Sequence, residues 1–110
     1  MNIRDLDFFI KVYERRSISV ASENLFISAQ GLSNVISRLE QELGCSLFNR
    51  DRAGSVPTAC GEAFYKYAVN TKLEYDRMIT EIEHLSRAEK GVIRIGYSFG
   101  VMSGLQWNSQ

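Results

Sequence analysis

Between Ser28 and Gly44 the chain concentrates side chains suited to recognition by hydrogen bonding rather than to making or breaking bonds. Gln30, Ser33, Asn34, Ser37, Arg38 and Gln41 are amides, hydroxyls and a guanidinium, and the first carboxylate after Ser28 is Glu40. Amides and guanidinium groups present paired donors and acceptors that complement the edges of nucleic-acid bases, where a good two-point contact gives about 1–3 kcal/mol of discrimination. In the same segment Leu32, Ile36, Leu39 and Leu43 recur at steps of four, three and four, one apolar stripe of a helix. One face is therefore built to be buried, and the opposite face to be presented.

Other chemistry is poorly served by this sequence. There is no nucleophile with a base at suggestive spacing, no paired carboxylates and no metal-ligand spacing, so no enzyme, cofactor or metal site is expected. Cys45 and Cys60 are the only cysteines, without a nearby histidine, and read as reduced structural residues rather than a disulfide. His84 reads as a surface or seam-edge side chain. Gly91, Gly96 and Gly100 lack the Gly-Lys-Ser/Thr of a phosphate loop.

The elements that must position the polar face can be followed along the chain. Asn2 caps a first helix, with Asp5 three residues on to close a capping box, and Leu6, Phe9, Ile10 and Tyr13 form its apolar stripe. Arg15 and Arg16 end that helix favourably against its dipole. Ser17 caps a short second helix with Ala21 and Leu25 on one face, and Phe26-Ile27 turns the chain into Ser28, the cap of the third. This is helix, tight turn, helix, with the small Ala21 and Ser22 allowing close crossing. Gly44 stops the third helix. Cys45 to Pro57 then predicts two short strands around a Gly54 turn, a small wing from which Arg50 and Arg52 would reach phosphates while Leu47 and Phe48 join the core. Pro57 removes a ladder donor, which keeps the second strand short or at an edge.

From Thr58 the pattern predicts one long helix. Phe64, Ala68, Thr71, Tyr75, Met78, Ile82 and Leu85 alternate steps of four and three, a heptad seam that calls for a partner helix. A winged domain of roughly 60 residues is marginal in burial, so pairing would serve stability as well as function. Gly91 to Gly96 begins like a strand entering a sheet whose neighbours the chain does not supply. The organisation expected is a winged helix-turn-helix over residues 1–57, a linker and dimerisation helix over 58–90, and the start of a truncated or missing domain over 91–110; the class is mainly α.

Whole-chain properties constrain this only loosely. With 13 basic and 13 acidic residues in 110, the chain lacks the overall positive field of many nucleic-acid binders. Local arrangement compensates, because Arg38 is the only charged residue between Asn24 and Leu39. No apolar run approaches the roughly 20 residues that cross a bilayer, and the N-terminus has no signal-peptide pattern, so a cytoplasmic location is expected.

The series Ser17, Ala21, Leu25, Ser28, Ser33, Ile36, Leu39-Glu40, Leu43-Gly44, Leu47-Phe48, Arg50, Thr58 and Gly61 resembles the N-terminal DNA-binding domain of LysR-type transcriptional regulators, from about Asn2 to Ile95. The resemblance implies a bacterial regulator with a winged helix-turn-helix, a linker helix that pairs two protomers, and a larger effector-binding domain whose first strand would be Gly91 to Gly96. Departures fall in functional places. The Ser-Gln-Pro-Ala opening common in that family is here Ser28-Ala29-Gln30-Gly31, with Gln30 in position to substitute; Ser22 replaces an alanine, Pro57 a leucine, and Ala53 stands where the wing often has arginine.

Together these readings predict sequence-specific binding of double-stranded DNA by a homodimer, or a tetramer built from it, at an inverted-repeat operator, and so regulation of transcription. Ser28, Ala29, Gln30, Ser33, Asn34, Ser37 and Arg38 would line the DNA face, with Arg50 and Arg52 on phosphates. A small-molecule effector is expected only where the further domain exists. The alternative is a short protein-interaction module that forms mixed dimers with a full-length regulator and modulates it.

Overall fold

The computed structural model describes residues 1–51 and 54–90. Its elements follow in the order α1 (Ile3–Arg15), α2 (Ile18–Leu25), α3 (Ala29–Leu43), β1 (Phe48–Asp51), β2 (Gly54–Pro57) and α4 (Ala59–Lys90). They fall into two compact units, Met1–Leu73 and a second from Glu74 onward. The strand expected from Gly91 lies outside the described residues.

Each helix starts and stops on local chemistry. Asn2 accepts from the Asp5 N–H at 3.0 Å and its own N–H donates to the Asp5 carboxylate at 3.3 Å, the reciprocal capping box. Ser17 and Ser28 cap α2 and α3 by accepting from the Val20 and Gly31 N–H groups at 3.1 and 2.9 Å. Thr58 caps α4, accepting from the Gly61 N–H at 3.0 Å. Left-handed residues end the first three helices: Arg16, Phe26 and Gly44, at φ 56°, 59° and 76°.

The core of the first unit forms where α1, α2, α3 and the hairpin meet. Phe9, Val12, Ala21, Leu32, Ile36, Leu39 and Leu47 are wholly buried, with Leu6, Phe48 and Ala68 close behind. On α1 the buried stripe is Leu6, Phe9 and Val12 rather than the expected Leu6, Phe9, Ile10 and Tyr13, of which the last two are half-buried. The reason is a second neighbour: Tyr13 faces α4, stacking on Tyr65 at 3.7 Å between ring centres and donating to Glu62 at 2.6 Å. That hydrogen bond, ahead of burial, pushes the Tyr13 phenol above its ordinary pKa. On α3 the stripe stops at Leu39, since Leu43 lies beside the Gly44 turn and is exposed.

The hairpin is antiparallel, pairing Phe48 with Pro57, Asn49 with Val56, Arg50 with Ser55 and Asp51 with Gly54. Gly54 thus belongs to the second strand, where the sequence pattern puts it in the turn. Its φ is 122°, and a Cβ there would stand 2.4 Å from the Arg16 carbonyl oxygen, so only glycine fits. The adjacent Ser55 N–H donates to that carbonyl at 3.0 Å, which anchors the wing to the end of α1. Glu40 supplies a second anchor by accepting from the Leu47 and Phe48 N–H groups at 2.8 and 3.4 Å.

The first turns of α4 dock on the same core. Phe64 meets Phe9 edge to face at 4.6 Å, and Lys72 pairs with Asp7 at 3.3 Å. Of the seven positions expected along a partner-facing seam, Phe64 and Ala68 are taken up by the domain's own core. Thr71 is exposed and Tyr75 half-buried. In the second unit Met78, Ile82 and Leu85 are 45%, 55% and 61% exposed, which is unusual for three large apolar side chains at heptad spacing.

Candidate nucleic-acid interface

The apolar side of α3 is anchored by Leu32, Ile36 and Leu39, all wholly buried, so the helix cannot turn its polar side inward. Ser28, Ala29, Gln30, Asn34, Ser37 and Arg38 are exposed, and Ser33 is half-buried. At its start Gly31 is confined by the cap, because a Cβ there would lie 3.0 Å from the Ser28 hydroxyl oxygen. The Ser28-Ala29-Gln30-Gly31 opening therefore works as a unit: serine closes the turn, and glycine leaves room for the serine.

Two links preset the side chains on this face. The Gln30 side-chain amide donates to the Asn34 carbonyl oxygen at 3.0 Å, one helical turn apart. This ties the two exposed amides together and does not use the Gln30 oxygen, its second N–H or the Asn34 NH₂. From the wing, Arg50 donates to the Ser33 hydroxyl at 2.9 Å. Arg50, itself exposed, thereby joins β1 to α3. Arg52 lies outside the described residues.

Arg38 has a second duty. It pairs at 2.8 Å with Asp5, whose side chain is only 5% exposed while that of Arg38 is 48% exposed. Asp5 is thus at once the second member of the Asn2 capping box of α1 and the anchor of Arg38. Sequence patterning assigns Arg38 wholly to the outer face and keeps acid away from it; the fold instead brings Asp5 to its edge from 33 residues away. Removing the guanidinium leaves a buried carboxylate without its charged donor, so Arg38→Ala should lower stability by about 1 kcal/mol, the low end because water reaches a half-exposed site. Gln30→Ala, on an exposed side chain, should leave the melting temperature unchanged. Parallel thermal melts check both, and equal melting temperatures for the two variants would contradict the anchoring role.

Phe26, in the turn that joins α2 to α3, is 94% exposed and left-handed, with its N–H donating to the Glu23 carbonyl at 3.3 Å. Sequence reading gives it only a turn role. No cluster of three or more potential metal ligands occurs among the described residues, and none of their helices is long and apolar enough to cross a membrane.

Comparison with known proteins supplies the context for this geometry. Residues 3–62 match the family model of the bacterial regulatory helix-turn-helix proteins, lysR family. The HTH-type transcriptional regulator BenM of Acinetobacter baylyi is 34% identical over 105 residues, covering 96% of this chain and 34% of BenM. The crystal structure of the BenM DNA-binding domain with catB site 1 DNA superposes with a TM-score of 0.75 at 32% identity, over 78% of this chain and 97% of that one. The CbnR DNA-binding domain–DNA complex gives a TM-score of 0.76 at 29% identity, over 79% and 100%. The chain spans about a third of the length of the first such relatives. With a family match over more than half its length and the same fold in three helices, a hairpin and a long helix, the chain belongs to the lysR family of bacterial regulatory helix-turn-helix proteins and carries its DNA-binding domain.

Proposed function

We propose that this chain binds double-stranded DNA sequence-specifically as a homodimer and so regulates transcription, with α3 in the major groove. The observation that carries the reading is the outer face of α3, exposed and carrying linked hydrogen-bonding groups while its other face is locked into the core. Gln30 and Asn34 read base edges, with Ser37 and Arg38 beside them; Arg50, braced on Ser33, holds backbone phosphate together with Arg52 and the amides at the Ser28–Ala29 helix start. The solved complexes of BenM and CbnR domains with DNA support this assignment. Residues 1–57 act as the reading module, 58–90 as the linker and dimerisation helix, and the chain from 91 as the start of an effector-binding domain. A two-fold dimer asks for an inverted-repeat operator.

Base contacts and phosphate contacts respond differently to substitution. Arg50→Ala should weaken binding to every duplex alike and lower the salt slope by about one counterion, whereas Gln30→Ala should change which site is preferred. Fluorescence anisotropy on a panel of duplexes at two salt concentrations separates these outcomes. If both variants bind every duplex as the parent does, the groove assignment is lost.

A further inference from the structure

Cys45 and Cys60 are set apart by the sequence but brought together by the fold. Cys45 follows the Gly44 turn that ends α3 and is half-buried; Cys60 sits in the first turn of α4 and is exposed. Three contacts fix the two segments against each other. Thr58 donates from its hydroxyl to the Ser46 carbonyl at 2.6 Å and from its N–H to the Leu47 carbonyl at 3.0 Å. The Gly61 backbone lies so close to Leu47 that a Cβ would stand 2.2 Å from the Leu47 carbonyl oxygen. Each cysteine is thus a direct chain neighbour of a residue in this seam. The neighbouring Cys60 side chain, ahead of burial, pushes the Cys45 thiol above its ordinary pKa. Neither is disulfide-bonded.

We propose that Cys45 and Cys60 form a dithiol site that a hydroperoxide closes into a reversible intrachain disulfide across the base of the wing. Cys60 is the sulfur a peroxide reaches, because it is exposed; its thiolate takes the terminal oxygen, giving a sulfenic acid and releasing an alcohol or water. The Cys45 sulfur then attacks the Cys60 sulfur, the S–S bond forms, the S–O bond breaks and water leaves. Two thiols lose two electrons to one peroxide, and their two protons end in the released alcohol and water. The closed ring encloses the whole hairpin, from the end of α3 to the start of α4, so oxidation restrains the wing in the unfolded as well as the folded chain.

The test uses the full chain and hydrogen peroxide, with no DNA, so it is independent of the proposed binding function. The parent should lose 2 Da in intact mass, lose both titratable thiols, yield a Cys45–Cys60 cross-linked peptide, and regain both thiols with dithiothreitol. Its melting temperature should rise by about 5 °C or more on oxidation. Cys45→Ala should instead retain a dimedone-reactive sulfenic acid at Cys60, and Cys60→Ala should keep Cys45 unoxidised at the same dose. Persistence of both thiols in the parent, a dimedone adduct that the parent fails to resolve, or cross-linking only between chains would overturn the proposal.

Discussion

Ile82→Glu should convert the proposed dimer to a monomer and weaken operator binding by about 10²-fold or more. Ile82 is 55% exposed, so a carboxylate there disturbs no packed core, and the melting profile of the first unit should barely move. On the proposed seam the same carboxylate would be buried against the apolar face of the partner helix in each protomer, where an unpaired charge is prohibitive. Binding falls because a dimer places its second reading helix at an effective concentration far above that of free protein, an advantage of 10²–10⁴ lost with the link. Sedimentation equilibrium checks the mass, and anisotropy on an inverted repeat against a half-site checks the affinity. A variant that stays dimeric removes Met78, Ile82 and Leu85 from the interface.

The largest effect on stability is expected from Gly61→Ala. In the middle of a helix this exchange ordinarily helps by up to about 1 kcal/mol. Here the added Cβ would meet the Leu47 carbonyl oxygen at 2.2 Å and its carbon at 3.2 Å, both backbone atoms that cannot swing aside, with the Pro57 Cβ at 3.4 Å. Overpacking of this kind costs about 1–3 kcal/mol, and a retreat of α4 also loosens the Thr58 cap, worth about 1 kcal/mol more. The net expectation is a loss of about 2–3 kcal/mol, seen as a fall of roughly 10 °C or more in a thermal melt followed by helical circular dichroism. An alanine variant at least as stable as the parent would mean that helix propensity outweighs the contact.

The contrast between these positions reflects what a one-dimensional pattern can encode. Caps at Asn2, Ser17, Ser28 and Gly44 are legible because each is a short-range bargain between a side chain or backbone conformation and the nearest amides or carbonyls. The stripe Leu32, Ile36, Leu39 is legible because it repeats with the helix. What depends on a second element is not. Val12 replaces Ile10 and Tyr13 in the core because α4 approaches α1 from one side, and Phe64 and Ala68 fit a heptad while serving the domain's own interior. Periodicity identifies a face but not the molecule that covers it. Glu40 stands out in the sequence only as the first carboxylate after Ser28, and in the fold it holds the Leu47 and Phe48 amides. The same holds for the outer face of α3: its composition is plain in the sequence, whereas the Gln30–Asn34 and Ser33–Arg50 links need coordinates.

The double employment of Asp5 has a practical corollary. Because one shielded carboxylate steadies both the entrance of α1 and the guanidinium of Arg38, α3, the proposed reading helix, is not a detachable cassette. Grafting α3 alone onto another scaffold would import Gln30 and Asn34 faithfully yet set Arg38 adrift. Anyone re-engineering operator choice in such chimaeras must transplant the acid along with the helix.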